Sequence, residues 1–327
     1  MLVIGHRDEE TWLFENFNKL YKYDISYIYE TLNLSNIKMA KGYDAICITV
    51  NSVITDEIAK GLSKLGVKYI LNKLAGKDNL NLQAINKYGL KAAYVPYYSP
   101  NAVSEHTVML ILAVLRKLKL QLSRVHSHDF RIKGLLGREL RNMTVGVVGT
   151  GRIGCATVKN LTGFGCRILV NGRTEREEII AVANYVSLEE IFTHSDILVF
   201  HCPLTEETHH LINEQTISRL KEGVCLINTS RGAVFDTKAV LNALKNGKIG
   251  AVAMDVYEEE NEILRKDMCS KKLNNEEFEE LLNMDNVIYT THTAFYTDEA
   301  ISNMIETTFV NLHELETMGY CENEAIK

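Results

Sequence analysis

The chain has 327 residues, 46% of them hydrophobic and 24% charged, and at about 150 residues per domain this length predicts two globular domains. The longest apolar run, residues 108–115, is far shorter than the roughly 18 residues that a membrane-spanning helix needs. A formal charge of −6 provides no basic surface for nucleic acid, so neither a nucleic acid nor a membrane is an expected partner.

The cysteines and the N-terminus indicate the compartment. The seven cysteines are odd in number and include no CxxC pair, which is typical of reduced thiols and not of disulfides or zinc ligands. Three apolar residues after Met1 are soon followed by His6, Arg7 and Asp8, a run too short for the apolar region of a signal peptide. We therefore expect a cytoplasmic protein.

The first hundred residues alternate between short apolar runs and helical patterns. The runs lie at 2–5, 25–29, 45–50, 68–71 and 92–95. This alternation predicts a parallel sheet covered by helices. One of these helices is predicted in detail, with Thr55 as its N-cap and Gly66 at its left-handed end.

A second, larger set of strands is predicted after a long helix. The helix is expected to run from about Asn101 past Leu122 and to be buried between two domains, because its first half is apolar on nearly all sides. Six apolar runs follow, at 144–148, 167–170, 197–201, 224–228, 251–256 and 287–290. They predict a complete doubly wound sheet.

Helix N-caps are predicted at Ser187, Asn213 and Asp236, the first of them as a capping box. The acidic stretch between 256 and 286 is predicted to be a loop with a short helix at about 276–282. A final helix, from about 297 to 318, is expected to pack on the first domain.

The strongest single motif is a GxGxxG sequence, Gly149-Thr-Gly151-Arg-Ile-Gly154, which directly follows an apolar strand and opens a helix. In this context the first glycine permits a tight turn, the second lets the backbone approach a pyrophosphate, and the third lets helix and strand pack. The motif therefore predicts a dinucleotide site at the helix N-terminus.

The position that usually selects NAD carries no acid. An Asp or Glu about 20 residues beyond the motif normally binds the adenosine ribose, whereas Asn171, Gly172 and Arg173 stand there in this chain. Two interpretations remain open: Arg173 is a solvated turn residue, or it binds the 2′-phosphate of NADP.

Three polar segments follow successive strands of the second sheet, at the edge where such sheets bind ligands. They contain Arg231, the run from Asp255 to Glu260, and His292. An arginine fork suits the carboxylate of a 2-oxo acid, a protonated histidine suits proton donation, and a nearby carboxylate favours the charged imidazole. The segments thus predict reduction of a 2-oxo acid.

The motifs GTGRIG, HCPLT, INTSRG, AMDVYEEE and HTAFYT, in this order, resemble those of the D-isomer-specific 2-hydroxyacid dehydrogenases, and most of all the D-lactate dehydrogenases of the vancomycin-resistance type. The resemblance covers nearly the whole chain. It implies an α/β fold in which a Rossmann nucleotide domain, residues 101–297, is inserted into a flavodoxin-like catalytic domain, residues 1–100 plus 298–327.

The resemblance also implies roles for individual residues. Arg231 corresponds to the catalytic arginine, His292 to the acid/base histidine and Glu260 to its carboxylate partner. The implied cofactor residues, besides the three glycines and Arg173, are Arg152, Ile153, Cys202, Pro203, Thr208, Thr229, Ser230 and Asp255. The implied substrate contacts are Tyr98, the backbone of Ala75 and Gly76, Phe295, Tyr296 and Ile54, the last standing where some D-lactate dehydrogenases have a larger tyrosine.

Three positions depart from the family pattern: Lys73 replaces a frequent Arg, Asn81 a frequent Asp, and Thr291 a Pro that commonly precedes the histidine. These departures bear on the geometry of the loops more than on the reaction chemistry, because Arg231, Glu260 and His292 are all present. His126, His128, His209 and His210 are interpreted as structural, so no metal site is predicted.

Two classes of function remain open. The first is an NADP- or NAD-dependent reductase that converts pyruvate or a bulkier 2-oxo acid to the D-2-hydroxy acid. The second is a dinucleotide-sensing binding protein of the corepressor kind on the same scaffold. Formate dehydrogenase and phosphoglycerate dehydrogenase are less favoured, and the family resemblance implies a homodimer.

Overall fold

A computed structural model describes residues 1–271 and 273–326. The chain divides into two compact units: unit 1 contains Met1–Ser99 and Tyr296–Lys327, and unit 2 contains Pro100–Phe295. Among the described residues, no helix combines the length and the apolar character needed to cross a membrane.

Unit 1 is built on a parallel sheet of five strands. The strands are Leu2–Ile4 (β1), Ser26–Ile28 (β2), Ala45–Ile48 (β3), Tyr69–Asn72 (β4) and Lys91–Tyr94 (β5). The helices between them are Thr11–Tyr21 (α1), Asp56–Lys64 (α2) and Leu82–Lys87 (α3), with 3-10 turns at Asp8–Glu10 and Ile37–Ala40. The strand order β2-β1-β3-β4-β5 is the flavodoxin-like order, as expected from the sequence.

Local capping chemistry fixes the helix ends of unit 1. Thr55 Oγ1 accepts the Ile58 N–H at 3.3 Å at the start of α2, and Gly66 just beyond its end has φ +91°, as predicted. Asn81, one of the three departures, caps α3 by accepting the Ala84 N–H at 3.0 Å. An asparagine satisfies this role as well as an aspartate does.

Lys73, the second departure, is buried in unit 1. Its Nζ lies 2.5 Å from Glu10 Oε2, and the two side chains are only 2% and 1% exposed. Arg7 contacts the other oxygen of Glu10 at 2.7 Å. The lysine therefore supplies a buried cation, which would be left without its partner carboxylate if Glu10 were removed.

Unit 2 is built on a parallel sheet of seven strands. They are Thr144–Val148 (β6), Arg167–Asn171 (β7), Asn184–Tyr185 (β8), Ile197–Phe200 (β9), Val224–Asn228 (β10), Ile249–Met254 (β11) and Val287–Tyr289 (β12). Their order, β12-β11-β10-β9-β6-β7-β8, is the Rossmann order with one further strand. The sequence analysis missed β8, because two residues at a sheet edge carry no readable apolar pattern.

The helices of unit 2 cover both faces of this sheet. They are Pro100–Leu115 (α4), Leu118–His126 (α5), Arg152–Thr162 (α6), Glu177–Ile180 (α7), Leu188–His194 (α8), Glu214–Arg219 (α9), Thr237–Lys245 (α10) and Glu276–Asn283 (α11), with 3-10 turns at Leu140–Asn142, Gly232–Val234 and Glu260–Glu262. The capping box of Ser187 and Glu190 and the caps of Asn213 and Asp236 are confirmed.

The prediction of a single long helix from Asn101 past Leu122 is wrong in one respect. The helix breaks between α4 and α5 at Lys117, whose φ is +52°. Lysine is a good helix former, so nothing in the local sequence signals this left-handed residue. The apolar first half is confirmed: α4 is buried on most sides and packs against α6.

The last helix, Asp298–Thr317 (α12), belongs to unit 1 and confirms the predicted C-terminal helix. Phe309 packs its ring 5.3 Å from that of Tyr21 and 6.0 Å from that of Phe14 on α1. Asn311 Nδ2 donates to the Tyr94 carbonyl at the end of β5. Both ends of the chain thus build one core.

Candidate active site

The glycine-rich turn after β6 has the close contacts that a dinucleotide site requires. Gly149 has φ +102°, and a Cβ there would lie 2.7 Å from the His201 carbonyl carbon and 2.9 Å from the Cys202 nitrogen. A Cβ on Gly154 would lie 1.9 Å from the Gly149 oxygen. Gly151, the N-cap of α6, faces open space. The turn therefore fits a pyrophosphate at the first N–H groups of α6.

The other predicted cofactor residues stand on the loops beside this turn. Arg152 and Ile153 begin α6, Cys202, Pro203 and Thr208 follow β9, and Thr229 and Ser230 follow β10. The Thr208 hydroxyl donates to the Pro203 carbonyl at 2.6 Å and closes its loop. Burial raises the pKa of Cys202 to about 11 and lowers the pKa of His201 to about 3. Both side chains are therefore uncharged at neutral pH.

The structure explains why no acid stands at the end of β7. A Cβ on Gly172 would lie 1.8 Å from Thr150 Oγ1 in the glycine-rich turn. An aspartate or glutamate at this position would require the Thr150 side chain or its turn to shift. Arg173 is exposed, and the Nε–H of Arg176 donates to the Thr150 carbonyl at 3.2 Å. This segment therefore carries two guanidinium groups, of which the sequence analysis singled out only Arg173.

Arg231 follows β10 on a loop that Asn228 holds in place. Asn228 Oδ1 accepts the Ser230 N–H at 3.0 Å, and its Nδ2 donates to the Arg231 carbonyl at 2.9 Å. A Cβ on the next residue, Gly232, would lie 2.1 Å from the Tyr257 carbonyl carbon. The arginine loop therefore packs directly on the loop after β11, with no space for a side chain between them.

His292 and Glu260 are brought together by the loops after β12 and β11. His292 Nδ1 lies 2.7 Å from Glu260 Oε1, with 24% and 14% of the two side chains exposed. Glu260 Oε2 also accepts the Tyr257 N–H at 3.1 Å. His292 has φ +52°, a conformation that non-glycine residues adopt mainly where the surrounding structure imposes it, often at functional sites.

Asp255 organises the histidine loop. It is 1% exposed. Its Oδ1 accepts the Thr290 hydroxyl at 2.5 Å and the Thr293 N–H at 2.9 Å, and its Oδ2 accepts the Ala294 N–H at 2.8 Å. The His292 N–H donates to the backbone carbonyl of Asp255 at 2.7 Å. Three hydrogen bonds thus tie the carboxylate to the loop that presents His292, and the direct contact of Asp255 with the cofactor remains a prediction.

Two residues near these loops were missed by the sequence analysis. His106 on α4 lies 2.9 Å from Thr290 Oγ1 and 3.6 Å from Asp255 Oδ1, and burial lowers its pKa. The Arg265 guanidinium lies 5.6 Å from the Phe295 ring centroid. His106 and Thr290 are 184 positions apart in the chain, so no local pattern could pair them.

The predicted substrate residues are divided between the two units. Phe295 in unit 2 is 8% exposed, with its ring centroid 6.3 Å from that of His292. Tyr296 in unit 1 donates its hydroxyl to Glu9, and its ring lies 4.8 Å from the Arg7 guanidinium. The contact of Phe295 with a substrate remains a prediction, as does that of Tyr296.

The remaining substrate candidates lie in unit 1. Ala75 is exposed, and the Gly76 carbonyl accepts from Asn72 Nδ2 at 2.9 Å. The Tyr98 carbonyl accepts from Asn303 Nδ2 at 2.6 Å. These contacts hold the backbone of both segments in defined positions.

The expectation for Ile54 needs correction. Its side chain is fully buried in the core of unit 1 and its backbone pairs with Leu80. An isoleucine that packs on the core does not fit the predicted contact with a substrate side chain. Its neighbour Val53 is half exposed.

Comparisons with known proteins agree with this architecture. Residues 108–294 match the family described as D-isomer specific 2-hydroxyacid dehydrogenase, NAD binding domain. An aromatic 2-oxoacid reductase of Clostridium sporogenes is 38% identical over 98% of this chain and 97% of its own length. A D-lactate dehydrogenase of Escherichia coli is 37% identical over 95% of each chain. The structure of a D-lactate dehydrogenase from Aquifex aeolicus, complexed with NAD and lactic acid, superposes with a TM-score of 0.86 at 32% identity, covering 100% of this chain and 99% of that one.

Proposed function

Because the chain belongs to the D-isomer-specific 2-hydroxyacid dehydrogenase family and contains its NAD-binding domain, we propose that it reduces a small 2-oxo acid to the D-2-hydroxy acid. The observation that carries the proposal is the 2.7 Å pair of His292 and Glu260, on loops that follow two neighbouring strands. The loop after the third neighbour, β10, carries Arg231.

The chemistry divides among these three side chains. Bound NADH or NADPH supplies the hydride. Arg231 binds the substrate carboxylate and polarises the ketone, since its planar fork makes charge-assisted bonds to oxygen. His292 donates its Nδ1–H to Glu260, which leaves Nε2–H to protonate the oxygen of the ketone as it becomes an alcohol. Glu260 orients the imidazole through this hydrogen bond.

The substrate class follows in part from the relatives. The names of the Clostridium sporogenes and Escherichia coli proteins point to aromatic 2-oxo acids and to pyruvate, respectively. We include both in the proposal. The burial of Ile54 removes the sequence-based argument for a wider substrate pocket. Assays with 2-oxo acids of different side-chain size therefore test which substrates are accepted.

The proposal is tested with pyruvate, 2-oxoisocaproate and phenylpyruvate, each assayed with NADH and with NADPH. We expect cofactor oxidation that depends on the 2-oxo acid, and chiral chromatography should identify the product as the D isomer. If the cofactor binds but is not oxidised in any of the combinations, the result would contradict the proposed enzymatic activity and favour a dinucleotide-sensing protein. An L product would contradict the family assignment of the reaction.

We propose that NADPH is used at least as well as NADH. Gly172 supplies neither an acid to bind the ribose nor a charge to repel a 2′-phosphate, and Arg173 is exposed beside it. A charge-assisted bond of about 1.5–3 kcal/mol corresponds to roughly 10–100-fold in affinity. We therefore expect Arg173→Ala to lower kcat/KM for NADPH by about this factor and to spare NADH.

The matched control is Arg167→Ala, which removes an exposed arginine at the opposite end of β7. A strong preference of the unmodified enzyme for NADH, with no selective loss in Arg173→Ala, would make Arg173 the solvated turn residue. Arg176→Ala reports separately on the guanidinium that bonds the glycine-rich turn.

Glu260→Gln is expected to lower kcat for reduction of the 2-oxo acid by about tenfold. A glutamine 2.7 Å from the ring offers the imidazole Nδ1–H a neutral acceptor in place of a carboxylate, so the ring is held less firmly in the orientation for proton donation. A charge-assisted hydrogen bond is worth about 1.5–3 kcal/mol, and about 1.4 kcal/mol corresponds to a tenfold change in rate. Steady-state kinetics with a 2-oxo acid check this.

The control for this prediction is Glu262→Gln, an exposed carboxylate on the same turn. An unchanged kcat in Glu260→Gln would instead direct attention to Glu258 and Glu259, which pair with His210 and Asn275, respectively.

We further propose a cytoplasmic homodimer. All seven cysteines are free thiols, in keeping with a reducing compartment. The segment around α5 exposes six large apolar side chains, at Leu118, Leu122, Val125, Phe130, Ile132 and Leu136. A cluster of this kind on one segment is typical of an interface, and the mass measured by light scattering in solution tests it.

A further inference from the structure

Three potential metal ligands meet in unit 2 apart from the His292 pair. They are His209, His210 and Glu258, whose ligand atoms all lie within 4.8 Å of one another. His210 Nε2 lies 2.5 Å from Glu258 Oε1, and the two imidazole rings lie 4.0 Å apart. The histidines belong to the loop between β9 and α9, and the glutamate belongs to the loop after β11. The site therefore links two loops that are distant in sequence.

The donor set has a definite chemical preference. Two imidazole nitrogens and one carboxylate oxygen suit zinc and similar transition metals, whereas magnesium and calcium prefer oxygen ligands alone. Three protein ligands also leave a fourth tetrahedral position for water. Ligands about 2.0–2.2 Å from a tetrahedral ion lie about 3.3–3.6 Å apart. The His210 and Glu258 atoms would therefore have to separate by about 1 Å, and the exposed His209 ring would turn toward them.

The two loops are held in place by a third segment. Thr237 donates its hydroxyl to Glu258 Oε2 at 3.1 Å, and the His210 N–H donates to the Ala233 carbonyl at 2.8 Å. A Cβ on Gly232 would lie 2.3 Å from the Glu258 nitrogen. A hydrogen bond to the second carboxylate oxygen is the kind of support that orients a metal ligand.

A simple ion pair accounts for only part of this cluster. It explains the contact of His210 with Glu258, but it gives no role to the second imidazole stacked on the first. His210 also has φ +49°, an uncommon conformation for a residue with a side chain. By contrast, His126 and His128 belong to no cluster of three potential ligands among the described residues.

We propose that His209, His210 and Glu258 form a binding site for one zinc-class divalent cation. Bound metal would join the loop after β9 to the loop after β11. Glu258 adjoins Tyr257, whose N–H bonds Glu260, so the ion would stiffen the turn that carries Glu260. The proposal does not depend on the substrate or on the direction of the reaction.

The test is a titration of the metal-free full chain with Zn²⁺ alone, read by competition with a chromophoric chelator. We expect one competing site per chain. His209→Ala and Glu258→Gln should each weaken Zn²⁺ binding by about tenfold or more, since even supporting residues of metal sites have effects of that size. His209 is exposed, so this variant is expected to fold. His126→Ala, also at an exposed histidine, is the matched control and should bind like the unmodified chain.

Co²⁺ distinguishes this site from binding to the exposed thiol of Cys269. Ligation by nitrogen and oxygen produces visible ligand-field bands without thiolate charge-transfer absorption, and Cys269→Ser should leave these bands unchanged. Three results would overturn the proposal: no competing site, unaltered affinity in both ligand variants, or binding that is lost in Cys269→Ser.

Discussion

Replacement of His292 by alanine is expected to lower kcat for reduction of a 2-oxo acid by about 10²–10⁴-fold, the usual contribution of general acid–base catalysis. The affinity for reduced cofactor should stay the same, because the glycine-rich turn lies on the loop after β6 and the histidine on the loop after β12. Steady-state kinetics and a fluorescence titration of the bound cofactor measure the two quantities separately.

The control is His194→Ala, which removes an exposed histidine from α8. Because Asp255 fixes the loop through the backbone of residues 292–294, the alanine variant is expected to keep its fold, which circular dichroism can verify. Full activity in a folded His292→Ala protein would remove this residue from the mechanism.

Arg231→Lys should lower kcat/KM for the 2-oxo acid by about 10–100-fold. A lysine keeps the charge but replaces a planar fork by a single ammonium group, so it cannot hold a carboxylate through two parallel bonds. One such charge-assisted bond is worth about 1.5–3 kcal/mol. The loss should appear in both KM and kcat, because the same group binds the substrate and polarises its ketone.

Arg219→Lys is the matched control, since this arginine makes an exposed ion pair with Glu189 and such pairs contribute little. Unchanged kinetics in Arg231→Lys would mean that the arginine does not contact the substrate. A rise in KM alone would restrict its role to binding.

Local sequence was sufficient wherever the determining groups lie within a few positions of one another. The capping box of Ser187 and Glu190 involves residues three apart. The dinucleotide site was predicted from three glycines that lie within six consecutive residues. The convergence of the loops carrying Arg231, Glu260 and His292 was also accessible, because parallel strands place their carboxyl ends at one edge of a sheet.

Other features depend on groups that only the folded chain brings together. The left-handed Lys117 that ends α4 carries no glycine or proline signal, and the burial of Ile54 depends on the packing of its core cluster. The bonds from the Asp255 carboxylate to the backbone N–H groups of residues 293 and 294 were likewise not foreseen from the sequence. These are contacts between segments that no periodic pattern relates.

The amino-acid sequence alone therefore determined the α/β class of fold, the chain order of its longer strands and the chemical types of the proposed catalytic groups, since these follow from apolar periodicity, glycine placement and residue type. Only the tertiary structure decided that Glu260 contacts His292 at 2.7 Å, that a Cβ on Gly172 would meet the Thr150 side chain, and that the ligand atoms of His209, His210 and Glu258 lie within 4.8 Å of one another. The physical reason is that loop conformations depend on hydrogen bonds and close contacts between distant segments, and these form only when the strands are assembled into a sheet.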